Sequence, residues 1–271
     1  MDERMVTVDG QQIAFLDSEG DGRPVVFVHG NSSSARTWLP VLTGPFGQRF
    51  RCLALDLPGH GQSARATDHS AYSLPGYAAV LAGFTRASGA ADAVIVGWSL
   101  GGHIALEAAP VMPAAVGYVI FGTPPVASVA QMADAFLPNP AMNVGYTADV
   151  SPELARAYAA SFTAPGSALP LDEFTADVLN TDGAARAALF ASVGEGRFTD
   201  ELAIVAALGR PLAILQGEGE QLVNLTYLRQ LSIPSLWRGR VQLIPGAGHA
   251  AHQEATATFT GLLDQFLADL S

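Results

Sequence analysis

The sequence predicts an α/β fold: a mostly parallel central sheet with helices on both faces and a helical insertion over one end. Three observations point there. Short apolar runs recur along the chain, helix-patterned segments separate several of them, and one long interval carries helical patterns alone. With 271 residues, 49% hydrophobic and 14% charged, the chain has the material for one sizeable core.

The elements follow in order. Met5 to Val8 and Gln12 to Leu16 flank an Asp9-Gly10 turn signal and read as a hairpin. Pro24 to Val28, Cys52 to Leu55, Ala93 to Val96, Val116 to Phe121, Pro211 to Leu215 and Val241 to Ile244 are nearly continuous apolar runs. Such runs suit parallel strands buried on both faces. Leu74 to Ala87, Leu100 to Ala109, Leu225 to Leu231 and Thr256 to Leu270 read as helices. Between Thr123 and Gly209 no strand pattern stands out, only Ala-rich, Pro-punctuated stretches such as Pro152 to Phe162 and Gly183 to Val193. The core is therefore assigned to residues 1–123 and 210–271, and a helical cap to 124–209.

Composition narrows the function. All 14 basic residues are arginines, so a Schiff-base lysine and a P-loop lysine are excluded. A net charge of −11 disfavours nucleic acid and anionic membrane surfaces, both of which demand a basic footprint, and favours a small neutral substrate. No apolar run reaches the ~18 residues that a membrane span needs. The opening Met1-Asp2-Glu3-Arg4 lacks the basic start and apolar core of a signal peptide, and the single Cys52 cannot form an intramolecular disulfide. A cytoplasmic protein is the expectation. No H-E-x-x-H or comparable cluster offers metal ligands, so neither metal nor cofactor is expected. The sequence does not set the oligomeric state, and a monomer is compatible with it.

Gly97-Trp98-Ser99-Leu100-Gly101 matches the Gly-x-Ser-x-Gly elbow, with a strand run before it and a helix pattern after it. That turn is tight enough to need small neighbours, and it exposes the serine hydroxyl as a nucleophile. Upstream, Val25 to Val28 run into His29-Gly30-Asn31, where the second arm of an oxyanion hole is expected. The backbone N–H groups of Asn31 and Leu100 are the two candidate donors, and His29 is assigned to holding loops together. Downstream, Pro245-Gly246-Ala247-Gly248-His249 follows the last strand run, making His249 the candidate general base, with His252 its competitor. His60, His69 and His103 are assigned to a turn, the surface and helix packing. The orienting acid belongs a few residues past Leu215; Glu220 has the best offset and Glu218 is the next choice. Gly30, Asn31 and Trp98 are candidate substrate contacts. Asp56 to Ser63, with its Pro-Gly and Gly residues, is a tight loop of mainly structural role.

The Asp56 to Ser63 loop and the Ser99 elbow resemble those of the α/β-hydrolase superfamily. A closer resemblance, to the AidH-type N-acyl-homoserine lactonases, rests on His29-Gly30-Asn31-Ser32-Ser33-Ser34, Gly97 to Ile104, Gly122-Thr123-Pro124-Pro125-Val126 and Thr181-Asp182-Gly183. The segment after Ala191 and the loop around Glu220 depart from that pattern. The resemblance implies an α/β-hydrolase fold and a metal-independent, quorum-quenching hydrolysis of the lactone ring by a Ser-His-Glu triad. It further implies that Tyr158 projects from the cap toward the substrate. Met132, Phe136, Met142, Tyr146 and Phe162 are apolar cap residues able to receive an acyl chain, though each taken singly is first of all a core residue. The rival readings are a general carboxylesterase, a carbon–carbon bond hydrolase, and a ligand receptor built on the same fold.

Overall fold

The computed structural model describes residues 1–270. Eight strands form one sheet: β1 Asp2–Val8, β2 Gln11–Asp17, β3 Gly22–Val28, β4 Phe50–Leu55, β5 Val94–Trp98, β6 Gly117–Phe121, β7 Leu212–Gly217 and β8 Gln242–Ile244. Their spatial order is β1-β2-β4-β3-β5-β6-β7-β8. The hairpin β1/β2 and the β2/β4 pair are antiparallel, and every pair from β4/β3 to β7/β8 is parallel. Each apolar run is thus a strand, and the β-branched residues that fill these runs suit a sheet covered on both sides.

Alternation along the parallel strands divides the core in two. Val26, Val28, Ile95, Ile120 and Ile214 face Tyr77, Leu81 and Phe84 of helix Leu74–Ala87 and Ile104 of helix Leu100–Ala108. Val25, Phe27, Val96, Val119 and Phe121 face Trp38 together with Phe259 and Phe266 of helix Thr256–Asp269. Helix Leu74–Ala87 starts where Ser73 accepts a hydrogen bond from the Gly76 N–H and a proline occupies its first turn, two local signals for a helix N-terminus.

Among the described residues no strand lies between β6 and β7; an isolated bridge joins Phe136 to Val223. Helices Pro152–Ala160, Asp172–Asn180, Gly183–Gly194 and Glu201–Ala207 fill that interval. Ser151, Asp182 and Asp200 cap three of them through side-chain oxygens. The stretch is tied to the sheet through polar contacts. The Tyr72 hydroxyl donates to Asp182 Oδ2 at 2.9 Å, the Asp182 N–H donates to the Gly59 carbonyl at 2.8 Å, and Ser34 Oγ donates to Asp177 Oδ2 at 2.7 Å. Buried Arg186 holds the interior of the stretch by donating to the carbonyls of Thr147, Ala148 and Val178.

Candidate active site

The parallel strands β3, β5, β6, β7 and β8 all deliver their following loops to one end of the sheet, the usual place for a site in an open α/β sheet. Ser99 comes directly after β5 with φ 53° and ψ −119°, a conformation that non-glycine residues adopt at a cost of about 1–3 kcal/mol. Its N–H donates to the Phe121 carbonyl at 2.9 Å, and its own carbonyl accepts from Gly102 N–H and Thr123 Oγ1. Side chains at Gly97 or Gly101 would overlap backbone, that of Gly101 and that of Val28 respectively, so the elbow cannot form without both glycines. Packing from neighbouring strands therefore sustains the strain.

The β3 loop is held as firmly. The Leu57 N–H donates to His29 Nε2 at 3.0 Å, which fixes the ring proton on Nδ1, and Nδ1 donates to the Gly30 carbonyl at 2.7 Å. Burial, aided by His60, pushes the His29 imidazole down to about 3, so it stays neutral. Asp56 accepts from the N–H groups of Ala35 and Gln62, joining this loop to the Asp56–Ser63 turn. Asn31 Nδ2 donates to the Gly145 carbonyl. The N–H groups of Asn31 and of Leu100, the first residue of its helix, take part in no turn or loop hydrogen bond.

His249 lies on the loop after β8, with Nδ1 2.8 Å from Glu220 Oε2; both side chains are almost fully buried. Glu220 Oε1 accepts from the Leu222 N–H at 2.8 Å, so both carboxylate oxygens are engaged. Gly122, at φ 59°, lies beneath the ring: a Cβ there would come within 2.7 Å of His249 Nδ1. Glu218 points to solvent. His252 is buried against Trp38 and Trp98 with Nε2 2.7 Å from Thr37 Oγ1, and burial drives its imidazole well below the usual range.

Asn31, Ser99, Leu100, Tyr158 and His249 line one cavity of about 260 Å³, and Glu220 stands behind His249. The Tyr158 hydroxyl belongs to a side chain buried against Phe162, and burial raises its pKa. Met132, Phe136, Met142 and Tyr146 contribute apolar wall. Two expectations need correcting, and a third residue takes the core role open to it. Trp98 is buried behind the wall, between Phe162 and His249, and is no substrate contact; the alternation of β5 turns it away from the cavity that Ser99 enters. Gly30 likewise packs against Trp98 and Ser99 without lining the cavity. Phe162 belongs to this same aromatic cluster rather than to the wall.

His103 does more than was expected of it. It does join two helices, with Nδ1 2.7 Å from Oε1 of the fully buried Glu201 at the start of helix Glu201–Ala207, but its ring also lines the cavity. Glu201 Oε2 accepts from the Val126 N–H at 2.9 Å. Sequence reasoning missed both. The place of His103 in the first turn after the Ser99 elbow is the signal that could have found it; Glu201, 98 residues away, left none.

Residues 25–260 match the model of the alpha/beta hydrolase family. The pimeloyl-[acyl-carrier protein] methyl ester esterase of Methylococcus capsulatus is 40% identical over 115 residues, 41% of this chain and 41% of its own length. That of Xanthomonas campestris pv. campestris is 33% identical over 89% of this chain and 85% of its own. Among solved structures, the N-acyl homoserine lactonase AidH complexed with N-butanoyl homoserine is 36% identical, with a TM-score of 0.95 over 100% of this chain and 98% of that one. A mutant of it complexed with N-hexanoyl homoserine lactone is 35% identical at a TM-score of 0.95, over 100% of this chain and 99% of that one. The strand order, the strained Ser99 elbow and these matches agree: the chain belongs to the alpha/beta hydrolase family and is a hydrolytic enzyme.

Proposed function

We propose that the enzyme opens the lactone ring of N-acyl-homoserine lactones without a metal, through Ser99, His249 and Glu220, with residues 124–209 as the cap over the site. The observation that carries most weight is the buried His249–Glu220 pair at 2.8 Å beside the cavity that Ser99 enters. The full-length likeness to AidH supports the lactone as substrate. Among the described residues no helix is long and apolar enough to cross a membrane, and a small substrate in a reducing, cytoplasmic compartment suits the lone buried Cys52.

In this reading Ser99 Oγ attacks the ring carbonyl carbon while His249 Nε2 takes the hydroxyl proton. Glu220 accepts from Nδ1–H, which fixes the tautomer and stabilises the imidazolium as it forms. The N–H groups of Asn31 and Leu100 receive the oxyanion, each worth about 3–4 kcal/mol in the transition state. Collapse breaks the ring C–O bond, and His249 returns its proton to the leaving alkoxide. That alcohol stays tethered to the acyl-enzyme, so re-closure competes with hydrolysis until a water, deprotonated by His249, attacks. The product is the open N-acyl-homoserine. Tyr158 faces the substrate from the cap.

A panel of short- and long-chain homoserine lactones beside p-nitrophenyl esters tests the substrate. Lactone turnover that Ser99→Ala abolishes, together with its labelling by a fluorophosphonate, is the expected result. Survival of every lactone while simple esters turn over would leave a general carboxylesterase, the reading that the likeness to the methyl ester esterases favours.

A further inference from the structure

The cavity holds a second histidine–carboxylate pair that the hydrolytic steps leave unused. We propose that His103, oriented by Glu201, is a polar subsite for a hydroxyl or keto oxygen on the β-carbon of the acyl chain; this rests on the lactonase reading above.

The placement comes first. His103 lies in the first turn of the helix that begins after Ser99, and its N–H donates to the Ser99 carbonyl at 3.4 Å. Both line the cavity. In an N-acyl-homoserine lactone, an extended chain puts the acyl β-carbon about 6 Å from the ring carbonyl, at the ~3.5 Å that three extended backbone bonds span. With that carbonyl at Ser99, a chain running along helix Leu100–Ala108 brings its β-carbon to His103.

The chemistry comes next. A carboxylate only accepts, so Glu201 fixes a proton on His103 Nδ1 and leaves Nε2 as the ring's remaining polar atom. Among the described residues that nitrogen has no hydrogen-bond partner, and the side chain is 14% exposed. Val126, Met132, Phe136, Val193 and Phe198 are among the apolar residues lining the cavity, with the Phe136 ring centroid 6.3 Å from that of His103. A plain alkyl chain lying there strips water from Nε2 and gives nothing back, which is unfavourable for any polar group. A β-oxygen restores the bond. A hydroxyl donates to Nε2 of the neutral ring, and a keto oxygen accepts from Nε2–H of the imidazolium. The carboxylate is equally built for holding: its second oxygen is fixed by Val126 N–H, so the ring cannot swing away without orphaning a buried charge.

The test compares kcat/KM for unsubstituted, β-hydroxy and β-keto N-acyl-homoserine lactones of one chain length. Wild-type enzyme is expected to prefer at least one oxygenated chain by about tenfold, with the difference in KM. In the double variant His103→Phe/Glu201→Gln, which leaves no unpaired carboxylate, that ratio falls to about one; His103→Gln, which keeps a partner for Glu201, retains part of it. Melting temperatures identify variants that fail to fold. Calorimetric affinities of Ser99→Ala for the three lactones give the same ratio without turnover. Lactone turnover with equal kcat/KM for all three chains, or discrimination that survives in the double variant, overturns the subsite alone. Absence of both turnover by wild type and binding by Ser99→Ala overturns the subsite and the lactonase reading together.

Discussion

The two histidine–glutamate pairs of the cavity are nearly the same object in isolation. His249 Nδ1 lies 2.8 Å from Glu220 and His103 Nδ1 lies 2.7 Å from Glu201; in each, the second carboxylate oxygen accepts from a backbone N–H, of Leu222 or of Val126. Their supports differ. His249 sits on a loop past the last parallel strand, pressed down on Gly122, beside a serine whose backbone is strained to present its hydroxyl. His103 sits on the regular helix that leads away from that serine, one turn farther into the apolar part of the cavity. The same dyad therefore reads as a proton carrier in one place and as a holder of a substrate oxygen in the other. Chemistry of the side chains does not separate them; backbone position does.

Exchanging each glutamate for its amide sharpens that contrast most. Glu220→Gln removes the acceptor that holds the His249 tautomer and is expected to lower kcat by about 10³-fold or more on every substrate. Glu201→Gln is expected to act through KM, and chiefly on oxygenated chains. Glu218→Gln, at a solvent-facing position, is expected to stay within about twofold. Steady-state kinetics on all three variants checks the assignment, and a kcat loss in Glu201→Gln matching that of Glu220→Gln would erase the distinction.

A smaller effect is expected from the packing beneath His249. Gly122→Ala forces a Cβ against the ring at a positive φ, so a loss of about 10²-fold in kcat and about 1–2 kcal/mol of stability should follow. Equal activity with a lowered melting temperature would mean that the ring tolerates displacement and that its placement is less exacting than the geometry implies.

The smallest expected effect lies away from both pairs, where Asp177 of helix Asp172–Asn180 meets Ser34 on the β3 loop. Burial outweighs the Ser34 hydrogen bond and, with nearby Asp56, lifts the Asp177 carboxyl to about 6. Between the ordinary carboxylate range and that value the native chain holds more protons than the unfolded chain, so its stability falls as pH rises through about 4 to 6. Asp177→Asn is expected to flatten that slope and to gain about 1 kcal/mol at pH 7. Thermal unfolding from pH 4 to 7 reads it; an unchanged slope would assign the pH dependence to other carboxylates.

Much of this was legible in the chain itself. The apolar runs marked the strands because a parallel sheet is buried on both faces, and Gly97 to Gly101 marked the elbow because its turn admits no side chain beside the serine. The order Ser99, Glu220, His249 follows from which loops succeed which strands. Tertiary packing alone decided the rest. Trp98 read as a substrate contact, but the pleat of β5 turns it into an aromatic cluster with Phe162, behind the cavity. Glu201 lies 98 residues from His103, and nothing local links them. Sequence fixes what depends on local period and steric allowance; the partner of a buried charge depends on which distant element the fold lays beside it, and only the folded chain carries that information.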